Sequence, residues 1–241
     1  MPAKDAKGRK IFLLYFLSRS FAKLADDVTN TEGKSLIFLS RPFAYFAGIS
    51  IFTMRFHPVR ALPGAWLIDL EKRGDERGFL ARTFCAEEFA AHGLCTHWPQ
   101  CNLTLTRQRG AIRGLHFQAE PQPEIKLIRC TAGVIWDVAL DLRPGSPSRG
   151  QWQAFELDAD TGRALYLPAG FAHGFQCLTD DCQVFYHMSA AYAPALARGV
   201  RWDDPSLAIS WPLPAALVSE KDRALPLCAE LDERELTPFS K

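Results

Sequence analysis

The chain has 241 residues, of which 48% are apolar and 23% are charged. This composition is typical of a globular protein with one good-sized domain or two small ones. Its 28 Lys and Arg residues balance 27 Asp and Glu residues, so no strong field favours nucleic acid or an acidic membrane as a partner. The apolar stretches at 11–17 and 43–52 are both shorter than the roughly 20 residues that span a bilayer. The sequence therefore predicts a cytoplasmic protein that binds neither nucleic acid nor membrane.

The seven cysteines are odd in number, irregular in spacing and without a C-x-x-C pair. This pattern favours free thiols in a reducing cytosol over a disulfide framework or a zinc site. Cys177 and Cys182 flank a predicted hairpin turn. We expect them to be two small, buried side chains without a covalent link.

Residues 1–53 differ in character from the rest of the chain. A basic start followed by a short apolar stretch matches a signal peptide only weakly, and Ser18-Arg19-Ser20 is a poor cleavage site. We expect a poorly ordered N-terminal extension over 1–53 and a folded domain over 54–241. The same interpretation predicts that the chain from Met54 onward folds by itself.

From Met54 onward, short β-type runs are separated by Gly, Pro and Asp turns. A helix is predicted over Ala86–His92, and the charged tail near Ser219–Glu235 is predicted to be helical and to lie outside the barrel. No helix–strand alternation or G-x-G-x-x-G motif is present, so the pattern predicts an all-β sandwich or barrel rather than a dinucleotide-binding domain. The predicted strands are Trp66–Leu70, Phe79–Phe84, Ala111–Gln118, Glu124–Ala132, Val134–Leu142, Trp152–Leu157, Ala164–Leu167, Gly174–Leu178 and Gln183–Met188.

Polar and titratable residues concentrate in three segments. In Arg113–Gln118, strand alternation puts His116 and Gln118 on one face, and Lys126 follows on the next strand. The turn Pro168–Phe175 delivers a second histidine, His173, to another strand. A single histidine is usually structural, but burying several such groups without partners is costly, so together they indicate a ligand site. The third segment, Ser219–Asp222, is by itself typical of a helix N-cap.

These segments resemble the dTDP-4-dehydrorhamnose 3,5-epimerase family, and the matching order and spacing cover most of residues 54–226. The resemblance implies a cupin-like double-stranded β-helix (jelly-roll) barrel with a few short peripheral helices. It also implies a homodimer of the dTDP-rhamnose pathway that acts on a nucleotide-linked 4-keto-6-deoxy sugar without metal or coenzyme. The matching residues are Asp75–Phe79, Gln100, Asn102, Arg113–Gln118, Lys126–Cys130, Trp136–Arg143, Ser146–Trp152, Leu167–Phe175, Trp202–Pro205, Ile209–Pro212 and Ser219–Asp222.

The resemblance also implies roles for individual residues. His116 is the catalytic base, Asp222 is the carboxylate that orients it, and Lys126 stabilises the enolate at the C4 oxygen. This is chemically reasonable, because an oriented imidazole can remove a proton beside a ketone when the enolate oxygen meets a positive group. The residues implied in holding the sugar and diphosphate are Arg77, Gln100, Asn102, Arg113, Gln118, His173 and Lys221.

One segment departs from the family pattern, which we write as Tyr-x-x-x-x-Tyr-Tyr-x-Pro. Here Tyr186, Tyr192 and Pro194 match, and Ala191 stands where the resemblance places the tyrosine acid that returns the proton. Tyr192 and Tyr186 are the candidate replacement acids. The departure predicts one of three outcomes: another donor serves, only one carbon is epimerised, or the reaction has changed or been lost.

Two other functions remain open at this point. A metal-dependent cupin enzyme would use His116, Glu124 and His173, but Gln118 stands where a second strong ligand is needed. A non-catalytic protein that binds sugar nucleotides is favoured by Ala191. The presence together of His116, Lys126 and Asp222 argues against it, because a pocket that only binds needs no base.

Overall fold

The computed structural model describes residues 53–240. The predicted N-terminal extension, apart from Thr53, lies outside the described residues, and its boundary with the folded domain stays a prediction. Within 53–240, no helix has the length and apolar character needed to cross a bilayer.

Antiparallel strands dominate this part of the chain. Two short helices, α1 (Ala86–Ala91) and α2 (Glu220–Arg223), and three 3-10 turns (Pro194–Leu196, Cys228–Glu230 and Glu233–Glu235) accompany them. The strands are β1 (Met54–Pro58), β2 (Trp66–Leu70), β3 (Arg73–Asp75), β4 (Gly78–Leu80), β5 (Gln100–Thr106), β6 (Ala111–Gln118), β7 (Lys126–Ala132), β8 (Val134–Asp141), β9 (Trp152–Asp158), β10 (Ala164–Leu167), β11 (Phe171–Cys177), β12 (Cys182–Met188), β13 (Ala197–Gly199) and β14 (Leu217–Val218).

The strands form two large sheets. The first has the order β1-β2-β10-β7-β12-β5, and the second has the order β13-β6-β11-β8-β9 with β14 parallel to β6. Strands β3 and β4 make a separate hairpin. Strands that are neighbours in sequence often lie in different sheets, as β7 and β8 do, which is the arrangement of a jelly roll. The expected all-β jelly-roll fold with short peripheral helices is confirmed.

Apolar side chains from both sheets meet in one buried cluster. Ile128 and Leu165 come from the first sheet, and Ile135, Leu157 and Phe175 come from the second. Each is less than a tenth exposed, and burial of a side chain of this size contributes about 1.5–3 kcal/mol. Phe175 of this cluster also lines a cavity, together with polar residues of β5, β6, β7 and β12.

Most predicted strands occur, with ends moved by three residues or fewer, and β2, β6 and β10 match their predicted bounds. The predicted strand Phe79–Phe84 is wrong beyond Leu80, because its only partner is the three-residue strand β3. The tail 219–235 is not one helix, since Pro226 lacks the N–H that would continue it. Nor is the tail wholly outside the barrel, because Asp222 is buried.

All seven cysteines carry free thiols, as expected. Cys177 and Cys182 are buried side by side at the end of β11 and the start of β12, but these strands lie in different sheets and do not form the predicted hairpin. Burial raises the pKa of the Cys177 thiol to about 12, so this thiol stays protonated and unreactive at neutral pH.

Candidate active site

A cavity of about 470 Å³ opens between the two sheets. The first sheet contributes one wall and the second sheet the opposite wall, while α2 closes one side. Among its lining residues are Gln100, Asn102, Thr104, Lys126, Tyr186 and Met188 from the first sheet, Arg113, His116, Gln118, His173 and Phe175 from the second, and Lys221 and Asp222 from α2.

Strand β5 supplies polar groups to this cavity. Gln100 and Asn102 pair directly with Met188 and Tyr186 on β12, so these four side chains stand on the same face of the sheet. The alternate residues of β5, such as Leu103, point to the other face and are exposed. Strand β5 thus directs its polar residues inward and its apolar residues outward.

Strand β6 places Arg113 and His116 on the same wall although they are three residues apart. Strict alternation would put them on opposite faces, but the pairing of β6 with β11 shifts register between these two positions. Gly114 makes the shift possible, since its φ is +110° and a Cβ there would lie 2.6 Å from the Cα of Gly174. His116 itself pairs with His173 across the two strands.

A buried carboxylate holds His116 in place. The Nε2 atom of His116 lies 2.6 Å from Oδ1 of Asp222, whose side chain is only 6% exposed. The other carboxylate oxygen accepts the backbone N–H of Gly114 at 3.3 Å. Because an ionised carboxylate only accepts hydrogen bonds, Nε2 carries the proton and Nδ1 is left with a free lone pair. This is the arrangement of an oriented general base.

Helix α2 fixes Asp222 in its buried position. Ser219 caps the helix, and its Oγ accepts the backbone N–H of Asp222 at 3.0 Å. Burial by itself would raise the pKa of Asp222, but the hydrogen bonds and charge of His116 and the Gly114 N–H outweigh it and hold that pKa below its usual range. The carboxylate is therefore ionised at neutral pH.

Lys126 lies on the wall opposite His116 and is paired with a carboxylate. Its ammonium group donates to Oε1 of Glu124, and the side chains of both residues are about a tenth exposed. Both line the cavity. Lys126 therefore lies in the site as predicted, and Glu124, which the sequence pattern indicates only as a metal ligand, is an additional member of it.

His173 has its own buried carboxylate. Its Nε2 lies 2.9 Å from Oδ2 of Asp137, a fully buried residue on the neighbouring strand β8. Burial raises the pKa of Asp137, and the charge and hydrogen bond of His173 offset this only in part. The other oxygen of Asp137 has no hydrogen-bond partner among the described residues.

The two candidate replacement acids, Tyr186 and Tyr192, both line the cavity. Ala191 does not line the cavity, and its carbonyl oxygen accepts a hydrogen bond from Gln118. Tyr186 lies in the first-sheet wall, across the cavity from the strand that carries His116. Because alternate residues of β12 share a face, Tyr186 and Met188 face inward while His187 faces outward. Tyr186, one of the two candidate replacement acids, therefore lines the wall across the cavity from His116.

Two of the predicted binding residues hold a loop. Gln100 accepts the backbone N–H of Tyr192 at 2.9 Å, and Gln118 accepts that of Ala193 at the same distance. Gln118 also donates to the carbonyl oxygen of Gln122. These bonds place Tyr192 at the cavity mouth, where its side chain is half exposed.

The remaining predicted binding residues divide into two groups. Arg113 and Lys221 line the cavity, and the guanidinium of Arg113 contacts neutral oxygens of Thr106 and Leu105. Arg77 lies outside this cavity, on the exposed β3–β4 hairpin, with its guanidinium on Asp75. A further cavity residue that the sequence analysis missed is Arg198, which is paired with Glu235.

The metal-dependent hypothesis requires three strong ligands around one point. Residues 53–240 hold no group of three His, Cys, Asp or Glu side chains arranged in that way. The Nε2 atoms of His116 and His173 are each bound to a different carboxylate. The site thus offers proton-transfer groups, and no set of metal ligands is formed by this part of the chain.

The jelly-roll fold and this cavity define an isomerase that moves protons. An imidazole fixed by a carboxylate, an ammonium group and a phenol converge on one space, which suits removal and return of a proton next to a carbonyl group. The family comparison agrees with this class. Residues 60–230 match the family model described as dTDP-4-dehydrorhamnose 3,5-epimerase, and the chain belongs to that family.

Individual relatives are similar over most of their length. A dTDP-4-dehydrorhamnose 3,5-epimerase from Sinorhizobium fredii is 43% identical over 68% of this chain and 85% of its own. A dTDP-4-dehydrorhamnose 3-epimerase from Streptomyces niveus is 38% identical over 77% of this chain and 89% of its own. The crystal structure of a 3,5-epimerase from Legionella pneumophila with bound dTDP-4-keto-L-rhamnose has a TM-score of 0.74 and 33% identity, and covers 78% of this chain and 100% of that chain.

Proposed function

We propose that this enzyme epimerises a nucleotide-linked 4-keto-6-deoxy sugar of the dTDP-4-dehydrorhamnose type at the carbons on either side of the ketone. The observation that carries the proposal is one cavity that holds the His116–Asp222 pair on one side and Lys126 and Tyr186 on the other. The family membership and the sugar nucleotide bound by the Legionella relative support the substrate class.

The first half of the reaction is removal of a proton. Nδ1 of His116 takes the proton from the carbon beside the ketone, and the electron pair moves into an enolate whose oxygen is stabilised by the ammonium of Lys126. Asp222 acts as a positioning residue, because it fixes the proton on Nε2 and stabilises the imidazolium that forms. This half needs no metal or coenzyme.

The second half is return of a proton to the opposite face of the same carbon. Tyr186 is the proposed donor, because it is a cavity tyrosine on the sheet that faces His116. With a donor on this wall, the alanine at 191 is no longer a reason to expect a single-centre enzyme. We therefore propose inversion at both C3 and C5.

The diphosphate is proposed to lie near Arg113 and Lys221. Both line the cavity, and the contacts recorded for the Arg113 guanidinium are to neutral oxygens, so its charge is available to an anion. The planar guanidinium fork matches phosphate oxygens. Gln100 and Gln118 contribute by holding the loop with Tyr192, while Asn102 and His173 remain proposed sugar contacts.

We also propose a homodimer in the cytoplasm. Leu103 and Leu105 are exposed on β5, an edge strand of the first sheet, and Phe79 and Leu80 are exposed on the β3–β4 hairpin. A second copy that covers these surfaces would bury apolar area and include Arg77 in the interface. The free thiols support a reducing compartment.

The test is incubation with a dTDP-linked 4-keto-6-deoxy sugar in deuterated water. The proposal predicts deuterium at C3 and C5 and a product inverted at both carbons. Deuterium exchange at C3 alone would show that the enzyme is a 3-epimerase and would contradict inversion at C5. Tight binding of the sugar nucleotide with no exchange at either carbon would contradict the proposed reaction.

A further inference from the structure

The ion pair between Glu124 and Lys126 is the feature of the cavity that the proposed reaction leaves unexplained. Enolate stabilisation requires a positive charge at the ketone oxygen, yet the ammonium of Lys126 already donates to a carboxylate. Taking two charges out of water is costly, and an ion pair with low exposure is not in itself evidence for stability. A role in the reaction would account for the pair.

The backbone around the pair is held firmly. Ile125 lies between the two charged residues, and its N–H donates to the Oγ of Ser189 at 2.8 Å while its carbonyl accepts the N–H of Ser189 at 3.0 Å. Residues two apart in an extended chain share a face, so Glu124 and Lys126 both point into the cavity. Met188 pairs directly with Lys126 and gives this wall an apolar neighbour that limits access of water.

The cavity is divided by charge along β5, since Lys126 lies level with Gln100 at the start of this strand and Arg113 binds Thr106 at its end. At Lys126 the positive charge is balanced by Glu124, whereas Arg113 binds neutral oxygens of Thr106 and Leu105. A diphosphate is attracted to the unbalanced end. A neutral keto sugar suits the balanced end, where the ammonium can act on negative charge that develops only during the reaction.

We propose that Glu124 is a positioning residue that aims the Lys126 ammonium at the ketone oxygen and keeps the diphosphate away from the sugar end of the cavity. This inference rests on the proposed function for its first part. Its second part, the exclusion of the diphosphate from the sugar end of the cavity, concerns anion binding alone and does not depend on turnover. Glu124 contacts Lys126 and acts through it.

The test uses E124Q, which keeps a hydrogen-bond acceptor and removes the charge, and E124D, which keeps the charge on a shorter side chain. The exposed Glu156 on β9 provides a matched control, E156Q. For E124Q we expect kcat to fall by about tenfold or more with KM within about threefold of wild type. The reason is that the position of the Lys126 ammonium affects the transition state, in which charge develops on the ketone oxygen, more than it affects substrate binding. E124D should recover part of kcat, and E156Q should match wild type.

A second readout is the binding of inorganic phosphate to the substrate-free protein by calorimetry. E124Q frees a cation in the sugar end, so we expect phosphate to bind at least about fivefold more tightly than to wild type or E156Q. If E124Q is folded, keeps kcat within about twofold of wild type and binds phosphate no more tightly, the proposal is wrong. If wild type itself gives no exchange, the proposed function fails, and unchanged phosphate binding by E124Q would then overturn the remaining part.

Discussion

Replacing Asp222 by asparagine should remove most of the activity while leaving the shape of the site nearly unchanged. Asp222 accepts two hydrogen bonds, from Nε2 of His116 at 2.6 Å and from the N–H of Gly114 at 3.3 Å. An amide has one acceptor and one donor end, so it cannot accept both. If its oxygen faces His116, its NH₂ group opposes the Gly114 N–H. If its NH₂ group faces His116, the proton of the imidazole must move to Nδ1, where the base is needed.

The size of the effect follows from these bonds. A hydrogen bond to a charged partner contributes about 1.5–3 kcal/mol, which by itself corresponds to roughly 10-fold to 100-fold in rate. The wrong imidazole tautomer adds to this, and loss of an orienting carboxylate in a comparable His–Asp pair costs about 10⁴-fold. We therefore expect D222N to lower kcat by about 10² to 10⁴, with a much smaller change in KM.

The assay is deuterium incorporation into the keto sugar in deuterated water, with kcat and KM measured separately. D160N is the matched control, because Asp160 is an exposed turn residue far from α2 in sequence. The double variant H116N/D222N should be no slower than H116N, since the two residues act as one unit. A folded D222N protein with kcat within about fivefold of wild type would refute the orienting role.

Further predictions concern the donor, the backbone and a buried ion pair. Y186F should still exchange protons at a reduced rate but should form about 10²-fold less inverted product, as read by NMR of the sugar. G114A should destabilise the fold by more than about 2 kcal/mol in urea unfolding, because the Cβ would lie 2.6 Å from Gly174. D141N should cost about 3–5 kcal/mol, since it leaves Arg143 buried without its carboxylate. Burial alone would raise the pKa of Asp141, but its hydrogen bonds to Arg143 and two serines outweigh burial and lower that pKa. The ionised carboxylate therefore stabilises the fold fully above its unfolded pKa of about 3.9, and this stabilisation is lost as pH falls through the folded pKa. In D141N the free energy of unfolding should therefore change less with pH on the acid side.

Local sequence pattern predicts those elements of the fold in which apolar residues face the core. Strands β2 and β10 match their predicted bounds because their apolar residues face a buried side. Strand β5 was missed because Gln100, Asn102 and Thr104 face the cavity and Leu103 is exposed, which inverts the usual pattern. A strand that lines a polar cavity lacks the periodic signal on which such predictions depend.

The site was only partly predictable for a similar reason. His116 and Gln118 follow from alternation in β6, but Arg113 joins them through a register shift that sequence does not reveal. Asp222 reaches His116 across 106 positions of chain, and only the family resemblance indicated it. The inward position of Tyr186 was available from alternation in β12.

His116 is proposed as the base for both exchanging carbons. The most direct measurement is deuterium incorporation at C3 and C5 of a dTDP-linked 4-keto-6-deoxy sugar, compared between wild type and H116N and resolved by NMR. We expect label at both carbons with wild type and at neither with H116N, while the variant keeps its fold and its affinity for dTDP. Label that enters either carbon at the wild-type rate in H116N would contradict it.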